Sequence, residues 1–281
     1  MILGIGFGST AVLIRTSELF FLAAVAVVSF FCAWELSGLQ AAPATVRDER
    51  RVHTPAVHRI RFGVAAAAIG AGLPSVSLLD VSGMTAGGSR AVEFGAVALL
   101  VAGPVVWLAA PTTESEARAA RARIVGRTTG GLLYCGVLPA YLALLKLRDP
   151  SGGSVLLALA IAWGGDVGGY LVGRSIGRRP LWSRLSPRKT VEGVAGALAA
   201  GLFAAMLVRG AWPIDISVRA FLPIALGAQL LAQGGDLFES ALTRRYGARD
   251  SSRLLADQGG VLDVMDGTLF VAPWLYYLLR V

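Results

Sequence analysis

Six carboxylates crowd the second half of a strongly apolar chain: Asp166, Glu192, Asp236, Glu239, Asp263 and Asp266. Each lies in or beside a run long enough to cross a membrane, where an ionisable group costs about 2.5 to 3.5 kcal/mol at a helix centre on insertion scales. Such a cost calls for a use. On a helix, Asp236 and Ser240 stand at i and i+4, and Asp263 and Asp266 at i and i+3, so each pair shares one face. Two helices can therefore present oxygen ligands to a common point. Carboxylates brought together repel unless a cation sits among them, and Mg²⁺ favours carboxylates combined with phosphate oxygens. Arg244, Arg245 and Arg249 follow directly and add anion-binding capacity. The plainer alternative is an Asp–Arg network that only closes the end of a helical bundle.

Two other passages join this one. In Trp163-Gly164-Gly165-Asp166-Val167-Gly168-Gly169-Tyr170, with Gly173 after it, Gly165, Gly169 and Gly173 recur every fourth residue, a spacing that predicts close helix packing. Packing does not account for Asp166, a carboxylate on a glycine-lined face with room beside it for a ligand or ion. In Ser186-Pro187-Arg188-Lys189-Thr190, Pro187 ends the preceding segment and the Thr190 hydroxyl is placed to cap a helix. A helix N-terminus flanked by Arg188 and Lys189 suits phosphate. Glu35 and Glu93, isolated near the ends of apolar runs, read as interfacial side chains whose carboxylates reach water.

The elements that must position these groups are membrane helices. The chain is 55% hydrophobic and 16% charged, with a mean hydropathy of +0.64, far from a soluble domain of this length. Apolar runs of spanning length fall at about 2–14, 19–38, 62–82, 92–110, 130–145, 154–173, 191–208, 218–233 and 262–279, which predicts an all-α polytopic bundle of about nine spans. The first run, short and rich in glycine, reads as a weak span and not as a cleaved leader. Loops after the second, fourth, sixth and eighth runs (Arg47 to Arg61, Arg118 to Arg127, Arg174 to Lys189, Arg244 to Arg253) hold 19 of the 26 Lys and Arg. That alternation places the N-terminus and these loops in the cytoplasm, in a cell inner (plasma) membrane.

The net charge of +8 then belongs to helix orientation and anionic headgroups, and nucleic acid is not an expected partner. Cys32 and Cys135 sit inside apolar runs without a CxxC spacing, and two histidines in one loop are too few for a zinc site. A transporter would show related halves with midplane sites, whereas these acids crowd one half and one membrane face.

From Gly235 to Asp266 the chain resembles the signature of the phosphatidate cytidylyltransferases, S-x-L-K-R-x4-K-D-x-S-x2-L-x2-H-G-G-x2-D-R-x-D with a GD-x2-E lead-in. The matching positions are Gly235, Asp236, Glu239, Ser240, Leu242, Arg244, Asp250, Ser252, Gly259, Gly260, Asp263 and Asp266. Trp163 to Arg174 and Ser186 to Gly193 are similar to that family's upstream blocks. The likeness covers roughly 130–281, which sets off a catalytic transmembrane region there from N-terminal helices (about four spans) over 1–129.

The resemblance implies transfer of CMP from CTP to phosphatidate in a polar pocket open to the cytoplasm, with a lipid entrance between helices. It implies Asp236, Asp263, Lys189 and Ser240 as catalytic residues. Asp236 and Asp263, partnered by Asp166 and Asp266, are implied as ligands of Mg²⁺, with a second cation allowed. Substrate binding falls to Ser186, Arg188, Lys189, Thr190, Arg244, Arg245, Arg249, Ser252 and Gln258. CTP, phosphatidate or another lipid phosphate, and membrane lipids are the expected partners; a homodimer is compatible with them.

Four positions depart from the pattern: Thr243 and Arg249 stand where the family has Lys, Gln258 where it has His, and Val264 where it has Arg. Thr243 and Val264 remove two positive charges, for which Arg245 or Arg253 are placed to substitute. Without substitution, the departures describe a catalytically altered or silent relative that binds nucleotide or acidic lipid, or an enzyme for another lipid phosphate.

Overall fold

A computed structural model describes residues 17–41, 62–70, 125–182, 186–212, 214, 216–252, 254–255 and 259–279. Helix α1 is Glu18–Ala41, and a helical stretch over 62–70, α2, lies between it and α3. Helix α3, Val125–Arg148, widens into a π turn over Leu133–Val137. Pro139 follows that turn at once. Its ring has no N–H for the carbonyl four residues back and crowds it, and the wider turn absorbs the conflict.

A tight connection leads to α4, Gly153–Ile176, through Gly152 at φ 78°, a left-handed conformation that glycine adopts without a Cβ penalty. The Asp149 carboxylate accepts from the backbone N–H of Ser151 (3.1 Å) and Ser154 (2.8 Å) and from both hydroxyls. Burial alone would raise its pKa, yet these hydrogen bonds, led by the Ser151 hydroxyl, hold the carboxyl below the usual carboxylate range.

Strands β1, Pro180–Trp182, and β2, Ser186–Thr190, form an antiparallel hairpin with Pro180 opposite Thr190 and Trp182 opposite Ser186. This hairpin stands where the hydropathy pattern predicts only a basic loop. Thr190 then caps α5, Val191–Ala211, accepting from Gly193 N–H at 3.0 Å, as its position predicts. Helix α6 runs Val218–Arg245 and α7 Val261–Leu278.

The closest pair is α4 with α5, and α7 packs against α1, α3, α4 and α6. Glycine makes the α4–α5 approach, though not along the predicted stripe. Gly169 and Gly173 do face α5, where a Cβ would meet Ala197 at 3.3 Å and Thr190 Oγ1 at 3.2 Å. Gly164 and Gly168 join them, while Gly165 turns to Gln229 of α6. At 100° per residue a spacing of four drifts, so a second row completes the contact.

Leu145, Leu157, Ile161, Phe221, Leu262 and Leu269 fill the interior. Leu171, Phe203, Leu207 and Leu230 point outward and are more than half exposed, the pattern of helices whose outer solvent is lipid. Among the described residues, four helices are long and apolar enough to cross a membrane, Glu18–Gln40, Val125–Arg148, Gly153–Ile176 and Val191–Ala211, and these residues form an all-α membrane bundle apart from one hairpin. They correspond to the second, fifth, sixth and seventh predicted spans, and α6 and α7 to the eighth and ninth. The first and fourth, with Glu93, lie outside the described residues; only 62–70 of the third is described.

Candidate functional site

Five elements converge on one polar cavity. The C-terminal half of α4 brings Asp166, and β2 brings Ser186 and Lys189; α6 supplies Gln233 and Asp236, and the first turns of α7 supply Asp263 and Asp266. This chamber, of about 360 Å³, is floored by Gly165, Gly169 and Gly193 and includes Thr190. A second chamber of about 350 Å³ shares Ser186, Asp236, Asp263 and Asp266 and adds Glu239, Ser240, Arg244, Arg249 and Asp250.

The charges are unequal. The Lys189 ammonium pairs with the Asp236 carboxylate, both side chains about a quarter exposed. Asp266 and Glu239 are nearly fully buried. The Asp266 carboxylate accepts from the N–H of Gly267, and Glu239 Oε1 receives no hydrogen bond from a donor among the described residues. Asp263 accepts from Gly260 N–H (2.6 Å) and, with both oxygens, from Ser251 N–H (3.0 Å each). Its carboxylate thus caps α7 while lining both chambers, and Oδ1 retains a further lone pair.

The donor set suits a hard divalent cation, with carboxylates in excess of ammonium and one buried carboxylate oxygen unsatisfied. Among the described residues, however, no three acidic, histidine or cysteine side chains stand within reach of one ion. Coordination by three of them would require rotamer changes, beginning with release of Asp236 by Lys189.

Of the residues singled out from sequence, Asp166, Ser186, Lys189, Thr190, Asp236, Asp263 and Asp266 line the first chamber, and Ser240, Arg244 and Arg249 the second. Arg245 does not join them. One residue beyond Arg244, it is turned about 100° around α6 and lines a different cavity. The Ser252 hydroxyl is committed to Glu35 at 2.7 Å. Gln258, Arg253 and the side chain of Arg188 lie outside the described residues.

Glu35 is the largest departure from expectation. It is 2% exposed, not interfacial, and its carboxylate accepts from the Ser251 and Ser252 hydroxyls and from the N–H groups of Val261 (3.0 Å) and Leu262 (2.8 Å). An acid within the run 19–38 was the visible signal; the partners were not. Gln229 and Gln233 carried no motif. Gln229 is fully buried, neither end of its amide has a partner among the described residues, and it fills the space left by Gly165 and Gly201.

Thr243 is fully buried and its hydroxyl donates to the carbonyls of Glu239 and Ser240, both at 3.1 Å. Thr243 itself lines neither acidic chamber. Val264 offers its carbonyl to Trp163 Nε1 at 3.2 Å.

The model of the cytidylyltransferase family matches residues 1–281. Phosphatidate cytidylyltransferase of Bacillus subtilis (strain 168) is 39% identical over 156 residues, 55% of this chain and 58% of the relative. That of Brucella suis biovar 1 (strain 1330) is 39% identical over 158 residues, 54% and 56%, and that of Staphylococcus saprophyticus is 34% identical over 148 residues, 53% and 56%. The chain thus spans somewhat over half the length of these curated relatives.

Proposed function

Starting from the fact that the chain belongs to the cytidylyltransferase family, we propose that it transfers CMP from CTP to phosphatidate, yielding CDP-diacylglycerol and pyrophosphate. The observation that carries this reading is one cavity in which Asp166, Asp236, Asp263 and Asp266 meet Lys189 and Ser186 from separate elements. A phosphate oxygen of the lipid attacks the α-phosphorus of the nucleotide; the bond to the β-phosphate oxygen breaks and pyrophosphate leaves. No covalent enzyme intermediate is needed, so catalysis comes from positioning and charge neutralisation.

Asp236 and Asp263, with Asp166 and Asp266, would hold a divalent cation, Mg²⁺ in our assignment. When bound it would neutralise phosphate charge. As the nucleotide enters, Lys189 exchanges Asp236 for a phosphate oxygen, and Ser240 and Thr190 donate hydrogen bonds to the phosphates. Arg244 and Arg249 supply charge in the second chamber. We further place about nine spans with the site facing the cytoplasm of a plasma membrane.

The test is purified protein in mixed micelles with labelled CTP, phosphatidate and Mg²⁺, scored for liponucleotide, beside Asp263→Asn and a sample stripped with chelator. Product is expected only from the unmodified, metal-supplied protein. No product from phosphatidate would sink the assignment, and full turnover in Asp263→Asn would sink the role given to that carboxylate.

A further inference from the structure

A third cavity of about 380 Å³ lies on the other side of α6, between that helix, α1 and α3. At 100° per residue, Asp236, Ser240 and Arg244 occupy one face of α6, whereas Phe238, Leu242 and Arg245 occupy the opposite one. The helix therefore separates this cavity from the acidic chambers. Its chemistry is also the reverse of theirs: two guanidiniums, Arg127 and Arg245, and no carboxylate among the lining residues.

Apart from the Gln40 amide, the rest of the wall is mainly apolar, with Leu36, Phe238, Leu242 and the ring of Tyr134. The Tyr134 hydroxyl is buried with no hydrogen-bond partner among the described residues. Arg127 lies 5.8 Å from the centroid of the Tyr246 ring, which steadies its exposed guanidinium at the cavity edge.

Glycine marks the space as something other than helix packing. At Gly126 and Gly130, one turn apart on α3, an added Cβ would meet nothing among the described residues within 4 Å. At neighbouring Gly131 it would strike the Phe62 ring at 2.6 Å. Gly131 is thus demanded by a neighbouring helix, while Gly126 and Gly130 leave a smooth, open groove.

We infer that this cavity is a second lipid site, which holds an anionic glycerophospholipid with its phosphate between Arg127 and Arg245 and an acyl chain along the Gly126–Gly130 groove and Phe238. Paired guanidiniums match phosphate oxygens in geometry and charge. The apolar wall beneath them favours a lipid over a free anion. The inference stands apart from the cytidylyl-transfer reading, because it uses none of the acidic chamber.

The test uses the full chain in phosphatidylcholine nanodiscs with a phosphatidylglycerol carrying a photoreactive acyl chain, and maps the labelled peptides. Label is expected on the segments around 126–134 and 238–246, and Arg127→Gln/Arg245→Gln should lower it about tenfold. Gly130→Leu, whose Cβ meets no described atom within 4 Å and which leaves both guanidiniums in place, should lower it as well and decides the matter if the double variant does not fold. Equal labelling by photoreactive phosphatidylcholine, unchanged labelling in both variants, or label confined to 163–193 would overturn the site. Displacement by excess inorganic phosphate as complete as by unlabelled phosphatidylglycerol would make it an anion site and overturn the lipid assignment.

Discussion

Glu35 accepts the backbone N–H of Leu262, 227 residues further along the chain, at 2.8 Å, and so joins α1 to the first turn of the helix that carries Asp263 and Asp266. The same carboxylate receives Val261 N–H and the hydroxyls of Ser251 and Ser252. It neutralises the positive end of α7 and satisfies donors that burial would otherwise leave unpaired. Asp263 takes the N–H groups of Gly260 and Ser251, so two acids together fix the loop between α6 and α7 at the mouth of the site.

Glu35→Gln keeps the shape but turns an NH₂ toward donors and removes the charge. A loss of roughly 3 kcal/mol is expected, read as a lower unfolding midpoint in detergent. A midpoint equal to wild type would mean that the clamp contributes nothing.

In the proposed reaction Lys189 and Asp236 serve the same bound nucleotide, one through phosphate and one through the cation, so their losses should not multiply. Lys189→Met and Asp236→Asn should each lower turnover by about 10² to 10³, and the double variant little further. Turnover in the double variant that equals the product of the two single losses would show the pair to be independent.

Gly168→Val drives a side chain into Ala200 and the Gly196 carbonyl, which a Cβ already meets at 2.7 Å. Destabilisation of about 3 kcal/mol is expected, seen as loss of monodisperse protein and a lower melting point. Gly210→Ala, with nothing among the described residues within 4 Å, should instead be neutral or stabilising by about 0.5 to 1 kcal/mol. The same melting point for Gly168→Val and wild type would refute the close α4–α5 contact.

Asp149 gives a pH signature. Because its folded pKa is depressed, its stabilisation is present above the unfolded value, about 3.9, and is lost as pH falls through the folded value. Asp149→Asn should lower the melting point near neutral pH and flatten its decline on the acid side. A variant that follows the wild-type curve throughout would refute the Asp149 assignment.

The sequence by itself determined the class of molecule and the aspartates of its acidic cavity. Bilayer thickness fixes the length of an apolar run, so the spans at 19–38, 130–145, 154–173 and 191–208 could be read directly. The cost of ionisable groups near lipid made Asp166, Asp236, Asp263 and Asp266 conspicuous. Tertiary structure alone decided what Glu35 does, because a buried carboxylate is defined by partners that reach it from the far end of the chain. It also decided that Arg244 and Arg245 serve different cavities, and that Gly168 packs on α5 while Gly165 makes room for Gln229. Those outcomes depend on how each helix is rotated about its axis, which contacts with neighbouring helices set and a linear spacing does not.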